Sequence, residues 1–273
     1  MQTKTVLVTG ASSGIGLATA VSAAEAGWHV IATMRDTAKA GALREAATAA
    51  GVTVDVRSLD VTDPGSIDAC LTDLPRLDAV VNNAGAGHLG TLELDSIDAV
   101  RAVMEVNFFG VLAVTKAAMP LLRASKGRVI TITSVGGVVG QPFNEAYCAA
   151  KFAAEGFMES FAPLAAKVGV SVCVVEPGAV SSEFVHNVGG RDALQADAGD
   201  YADALNAYLA RTGPVFASAQ TPGGAAEVIV GVLDAEAPAF RVQTSEIAQG
   251  FVAAKLRDVN GSTVQGVTRS WIA

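Results

Sequence analysis

Residues 9–16 read "TGASSGIG", closing the apolar run "TVLVT" (5–9) and opening the Ala-rich segment 15–26. A β-branched run, a glycine-rich turn and a helix-forming stretch, in that order, make a strand–turn–helix unit able to receive a phosphate. Gly10 permits the tight turn. Gly14 and Gly16 let a ligand and a neighbouring strand approach the backbone, and the helix N-terminus adds positive potential. The same letters, Gly10-Ala11-Ser12-Ser13-Gly14, also fit the G-x-S-x-G of a hydrolase nucleophile elbow. The first reading makes Gly10, Ser12, Ser13, Gly14, Ile15 and Gly16 a cofactor turn. The second makes Ser12 a nucleophile.

The rest of the chain repeats the opening pattern. Strand-like runs follow at "WHVIAT" (28–33), "VTVDVRSL" (52–59), "LDAVVNN" (77–83), "GRVITIT" (127–133) and "VSVCVVEP" (170–177), separated by helix-length pieces such as 38–50. Continuous β-branched runs alternating with helical linkers predict an α/β fold, a doubly wound, mostly parallel sheet with helices on both faces. Ligands in such sheets bind beyond the carboxyl ends of the strands. No Pro/Gly/Ser-rich linker divides the chain, so residues 1–273 are expected to form one domain. From about 181 to 222 the composition turns to Gly, Asp and Ala, with Tyr201, Leu205, Tyr208 and Leu209 spaced to share a helix face. That position, just after the last long strand, suits a substrate lid.

Composition narrows the function classes. Of 273 residues, 51% are hydrophobic and 17% charged, which argues for a well-buried fold or a large subunit interface. A net charge of −8 with no Lys/Arg cluster excludes nucleic acid as the expected partner. Cys70, Cys148 and Cys173 lack zinc spacing, so no metal is expected and the thiols read as reduced. The N-terminus has no signal-peptide pattern and no apolar run is long enough to span a membrane, which predicts a cytoplasmic protein.

Chemistry-bearing stretches sit at the strand ends: "NNAG" (82–85), "ITSVGG" (132–137) and "PG" (177–178), with "VNFFG" (106–110) and "YCAAK" (147–151) in helical segments. Tyr147 and Lys151 are one helical turn apart and face the same way. A free phenol titrates near ~10, and a neighbouring ammonium lowers that value towards working pH. Tyr147 can then exchange a proton with an alcohol or carbonyl oxygen, while Ser134 hydrogen-bonds the same oxygen.

In order and spacing, residues 3 to about 180 resemble the short-chain dehydrogenase/reductase family in its single-domain form. The resemblance implies a catalytic tetrad of Asn107, Ser134, Tyr147 and Lys151. It implies that Asn107 holds a relay water and that Lys151 binds the nicotinamide ribose. It places Asp60 and Val61 at the adenine, Asn83, Ala84 and Gly85 along the adenosine, and Pro177, Gly178, Val180 and Ser182 near the carboxamide. Members commonly form dimers or tetramers through helices here near 97–123 and 146–167, which predicts a homodimer or homotetramer.

NAD-preferring members carry an acid at the seventh residue after the glycine before the second strand. Counting from Gly27 puts Met34 there, followed by Arg35. A guanidinium in place of an acid suits a 2′-phosphate, so NADP(H) is expected over NAD(H). The stretch "PGAVSSEFVHNV" (177–188) and the later "RVQTSE" (241–246) look most like the hydroxysteroid and retinol dehydrogenase branch. Phe143 and Phe184 are expected to line a pocket for a hydrophobic ketone or aldehyde, beside Ser134 and Tyr147.

The elbow reading fails on place: the motif follows the first strand, and the last histidine is His186, with none in the long stretch beyond. A catalytically silent NADP-binding sensor of the same fold is the remaining alternative, against which the intact tetrad argues.

Overall fold

A computed structural model describes residues 3–183, 188–217 and 219–273. Seven parallel strands form one sheet in the order β3-β2-β1-β4-β5-β6-β7. They are β1 (Thr5–Thr9), β2 (His29–Met34), β3 (Asp55–Ser58), β4 (Ala79–Asn82), β5 (Arg128–Ile132), β6 (Ser171–Glu176) and β7 (Arg241–Gln243). The chain moves outward from β1 in one direction through β3, then returns to pair β4 on its other side. That reversal opens the crevice where such sheets take ligands.

β1 is buried at every position, as expected of a central strand. Its side chains alternate: Val6 and Val8 point into one core, Leu7 into the other. The first core is closed by α1 (Gly14–Glu25), α2 (Gly41–Ala49) and the late helix α9 (Pro222–Asp234), through Ala20, Ala23, Leu43, Ile229 and Leu233. The opposite core is closed by α3 (Pro64–Leu71), α5 (Gly110–Ser125) and α6 (Glu145–Lys167), through Ile67, Val114, Ala118, Leu122 and Met158.

Local departures from the sequence pattern have local causes. The helix expected over 38–50 begins as a 3-10 turn, Thr37–Ala40, because the Asp36 carboxylate accepts from Ala38 N at 3.0 Å. The segment near 97–123 is not one continuous α-helix. It comprises α4 (Ile97–Met104), one π-helical turn (Glu105–Phe109) and α5. Such single π turns re-aim a side chain, and this one carries Asn107.

Beyond β6 the described residues form α7 (Arg191–Ala196), α8 (Ala202–Ala217), α9, β7, α10 (Glu246–Arg257) and α11 (Ser262–Arg269). Leu205 and Tyr208 of α8 are buried with Phe143, Leu89 and Leu194, and Tyr201 and Leu209 pack against them. The shared face expected of those four residues is therefore the one that docks on the domain. Among the described residues no helix is long and apolar enough to cross a membrane.

Candidate active site

The strand ends converge through short polar contacts that begin at the glycine turn. Thr9 Oγ1 accepts from both Asn83 N and Ala84 N at 3.0 Å, joining the end of β1 to the end of β4. Asn83 Nδ2 donates to Thr9 O at 2.9 Å and Gly10 O at 3.1 Å, so this amide holds the turn itself. A Cβ on Gly16 would collide with Gly10 O and Asn83 Nδ2, and Gly10 has φ +70. Side chains are excluded at both places by the backbone packing.

The N-terminus of α1 fits a phosphate. Ser13 stands at the cap without a side-chain bond to the helix, and no acid occupies the first turn. Free N–H groups and the helix dipole both favour an anion there. A Cβ on Gly14 would lie 3.1 Å from Ser182 Cβ, which brings the loop after β6 against the glycine turn. Val135 N donates to Pro177 O at 2.9 Å, tying the loops after β5 and β6 together. Val180 is buried and bridges to Gln220.

At the outer strands, Asp60 Oδ1 accepts from Thr62 N at 2.9 Å and Thr62 Oγ1 at 2.8 Å. The Thr62 backbone bond holds the Asp60 carboxyl below its ordinary range, and the Arg35 charge adds to this. Val61 is buried against Gly110 of α5. Arg35 is exposed at the end of β2, and its carbonyl accepts from Ser58 Oγ at 3.2 Å.

The four residues of the expected tetrad come together at the ends of β4 and β5. Ser134 follows β5, and its hydroxyl accepts from Gly136 N at 3.0 Å and shares a hydrogen bond with the Tyr147 phenol. Lys151, buried on α6, lies with Nζ 5.8 Å from the Tyr147 ring centre and donates to Ile132 O at 3.0 Å. Asn107 is fully buried; its Nδ2 donates to Ala86 O at 2.9 Å and Val103 O at 3.0 Å, while its Oδ1 accepts from Ala86 N.

Electrostatically, burial dominates. It pushes the Tyr147 phenol up to about 12, with the Ser134 hydrogen bond opposing the rise. It pushes Lys151 down to about 8, with Glu155 opposing the fall. The expectation that the ammonium holds the phenol below its ordinary value is not met in the folded chain. Desolvation of the buried phenolate is the largest influence on it and outweighs the hydrogen bond with Ser134.

Phe143 is buried beside Tyr208, with ring centres 5.6 Å apart, and has φ 59. Its carbonyl accepts from Gly90 N at 2.9 Å, which fixes it between the loop after β4 and the start of α6. Phe184 and His186 lie outside the described residues. His88 is engaged with the Asp95 carboxylate at 2.9 Å. Cys148, though next to Tyr147, is buried and its thiol is pushed up to about 12 by burial, the opposite of a nucleophile. Among the described residues no cluster of His, Cys, Asp or Glu could hold a metal ion.

Sequence reasoning missed Glu155, Glu176 and Arg241, which form a buried charged cluster behind Lys151. Glu155 alone carried a signal, its place one helical turn after Lys151.

A parallel doubly wound sheet, a phosphate-ready glycine turn and a Ser–Tyr–Lys group beside it define an oxidoreductase of the nicotinamide-dinucleotide class. The family model for short chain dehydrogenases matches residues 4–192, and the chain belongs to that family. It is 38% identical over 271 residues to retinol dehydrogenase 8 of Bos taurus, covering 95% of this chain and 87% of the relative. It is 39% identical over 269 residues to human 17-beta-hydroxysteroid dehydrogenase type 1, covering 94% and 82%. Among solved structures, a short-chain dehydrogenase from Streptomyces avermitilis superposes with a TM-score of 0.78 at 31% identity, covering 98% of each chain. These relatives place the chain in the hydroxysteroid and retinol dehydrogenase branch, as an enzyme acting on CH–OH groups.

Proposed function

We propose that the protein is an NADP(H)-preferring reductase/dehydrogenase interconverting a hydrophobic ketone or aldehyde and its alcohol, with Tyr147 as the acid/base. The observation that carries this reading is the Ser134–Tyr147 hydrogen bond beside the glycine turn, with Lys151 one helical turn behind. When bound, the nicotinamide cofactor supplies or accepts the hydride.

The residues of the chain do the rest. The glycine turn and α1 receive the pyrophosphate, with Ser12, Ser13 and Ile15 along it, and Arg35 receives the 2′-phosphate. Asp60 and Val61 face the adenine. Asn83, Ala84 and Gly85 border the adenosine through the turn they hold, and Pro177, Gly178, Val180 and Ser182 border the carboxamide. Ser134 donates to the substrate oxygen, and Tyr147 gives its proton to the alkoxide that forms there. A phenol pushed up to about 12 rests in its protonated form at neutral pH, which suits carbonyl reduction. Lys151 lowers the cost of forming the phenolate, and Asn107 fixes Ala86 and with it the floor beneath Gly85. Phe143 forms an apolar wall for the substrate, under a lid to which α8 belongs; the expectation for Phe184 falls outside the described residues.

Residues 1–273 act as one domain in this reading and pair through α5 and α6 into a dimer or tetramer. Phe109 (48% exposed), at the end of the π turn that leads into α5, and Phe157 (44%) on α6 support that face, since Phe108 joins them with ring centres 4.9 and 6.1 Å away.

The test is a screen of apolar ketones and aldehydes with NADPH and NADH, with Tyr147→Phe as control. We expect NADPH to be preferred and Tyr147→Phe to lose about 10²- to 10⁴-fold in kcat. Normal cofactor binding without turnover of any carbonyl would favour the silent sensor instead.

A further inference from the structure

One helical turn after Lys151, Glu155 enters a second polar cluster, behind the site. Glu155 is 4% exposed, and Glu176, the last residue of β6, is fully buried. Two buried carboxyls side by side repel when both ionise, so they need donors and a cation at hand. Thr133 donates to Glu155 Oε1, and Gln243 Nε2 donates to Glu176 Oε2 at 2.7 Å. The cation is Arg241 of β7. Its Nη2 lies 3.3 Å from Glu155 Oε2 and its Nε lies 2.5 Å from Glu176 Oε1. The exposed Glu159 meets the outer edge of the guanidinium at 3.2 Å.

Thr133, Glu176 and Glu155 each adjoin a part of the active site. Thr133 precedes Ser134, Glu176 precedes Pro177, and Glu155 shares a helix face with Lys151 and Tyr147. A Cβ on Gly137, in the turn after Ser134, would lie 3.0 Å from Glu155 Cγ and 3.3 Å from Lys151 O. Lys151, Glu155, Arg241 and Glu176 therefore run as a chain of alternating sign through the protein interior. The charged and titratable groups facing it are Tyr147 and Glu159 on α6, Glu176 on β6 and Arg241 on β7. The turn after β5 contributes Thr133 and Gly137, and the π turn contributes the neutral Asn107.

We propose that Arg241 is a positioning residue for proton transfer at Tyr147, keeping Glu155 ionised against Thr133 so that Lys151 stays charged and Ser134 stays in register. This rests on the acid role of Tyr147 proposed above. Lys151 and Arg241 face three carboxyls, the buried Glu155 and Glu176 and the exposed Glu159. Removing Arg241 leaves the buried pair with less opposing charge, and Glu155, already pushed up to about 7 by burial with Glu176 adding and Thr133 and Arg241 opposing, holds its proton to higher pH. A neutral Glu155 withdraws the one opposing influence on Lys151, and the ammonium is lost at lower pH.

The experiment compares the wild-type chain with Arg241→Met, Arg241→Lys and Glu155→Gln in two readouts. The first is the infrared carbonyl band of a protonated carboxyl, isolated by subtracting the Glu155→Gln spectrum and followed against pH. We expect its midpoint to rise by about one pH unit in Arg241→Met and to return in Arg241→Lys. The second is the pH profile of carbonyl reduction. Its alkaline limb is expected to move down by about one pH unit in Arg241→Met and Glu155→Gln, with KM for the carbonyl within about threefold. A uniform loss of kcat with unmoved midpoints would mark the cluster as scaffolding and overturn the proposal. If Arg241→Met does not fold, the near-isosteric Glu155→Gln decides by its profile. Turnover retained by Tyr147→Phe overturns the acid role and this proposal with it; turnover lost there, with unmoved midpoints, overturns this proposal alone.

Discussion

Gly85 leaves room for Asn107: a Cβ placed on it would lie 2.9 Å from Asn107 Oδ1 and 3.6 Å from Lys151 Nζ, so any side chain at the end of "NNAG" would meet two of the four proposed catalytic residues. Asn107 has little freedom to yield, because its amide is bonded to Ala86 in both directions and to Val103. Gly85→Ala is therefore expected to lower kcat by about tenfold or more, equivalent to roughly 1.4 kcal/mol of barrier. The disturbed amide adds a stability loss of about 1–3 kcal/mol. Steady-state kinetics and thermal melting check both, and an unchanged kcat would mean the contact is slack.

Coenzyme choice turns on Arg35. Its acidic neighbour Asp36 accepts from Ala38 N at 3.0 Å as the cap of the following turn, which directs that carboxylate to its own backbone while Arg35 stands exposed at the end of β2. Arg35→Ser removes one charge-assisted contact to a 2′-phosphate, worth about 1.5–3 kcal/mol. The expected outcome is a KM for NADPH raised about ten- to hundredfold, with KM for NADH changed less than about twofold. Equal changes for both coenzymes would remove Arg35 from the discrimination.

What the sequence made legible was whatever repeats at short range. Six strands, the glycine turn and the Tyr147–Lys151 helix turn follow from period and spacing, and each lies close to its expected place. β7, only three residues long, has no run of its own to announce it. Its partner β6 supplies the register, Val174 against Arg241 and Glu176 against Gln243. The Glu155–Arg241–Glu176 cluster was invisible for the same reason, since pairing across a sheet edge joins residues that no local pattern relates. The π turn carrying Asn107 was hidden too, because one extra residue in a helical turn leaves the apolar pattern of α4 and α5 intact.

Phe143 offers an inverted order of stabilities. A buried aromatic cut to Ala costs about 3–5 kcal/mol through lost transfer energy and cavity. Glycine ordinarily costs more still than alanine. At φ 59, however, Ala retains the left-handed strain of roughly 1–2 kcal/mol and Gly does not. Phe143→Gly is thus expected to unfold at higher urea concentration than Phe143→Ala, both well below wild type. Both variants should also raise KM for an apolar carbonyl, because the ring next to Tyr208 is gone. Chemical denaturation of the three proteins checks the order, and Ala above Gly would show that the backbone relaxes out of the strained region.

Lys151 ties activity to a measurable loss of stability. Burial holds its ammonium at about 8 against an ordinary value of 10.5. Between those values the unfolded chain binds more protons than the folded one, so stability rises as pH climbs through that window. Below it the fold carries the full penalty of a buried ammonium, on the order of 3 kcal/mol. Replacing the side chain by an uncharged one of similar length removes the penalty. Lys151→Met is therefore expected to be more stable than wild type at pH 7, by about 1–3 kcal/mol after allowance for Glu155 left without its cation. The difference should shrink as pH climbs from about 8 to 10.5, where the wild-type lysine is already neutral in the folded state and still charged in the unfolded one. Urea unfolding of the two proteins from pH 7 to 10.5 measures this, and parallel curves across the range would show that Lys151 titrates at its ordinary value despite its burial.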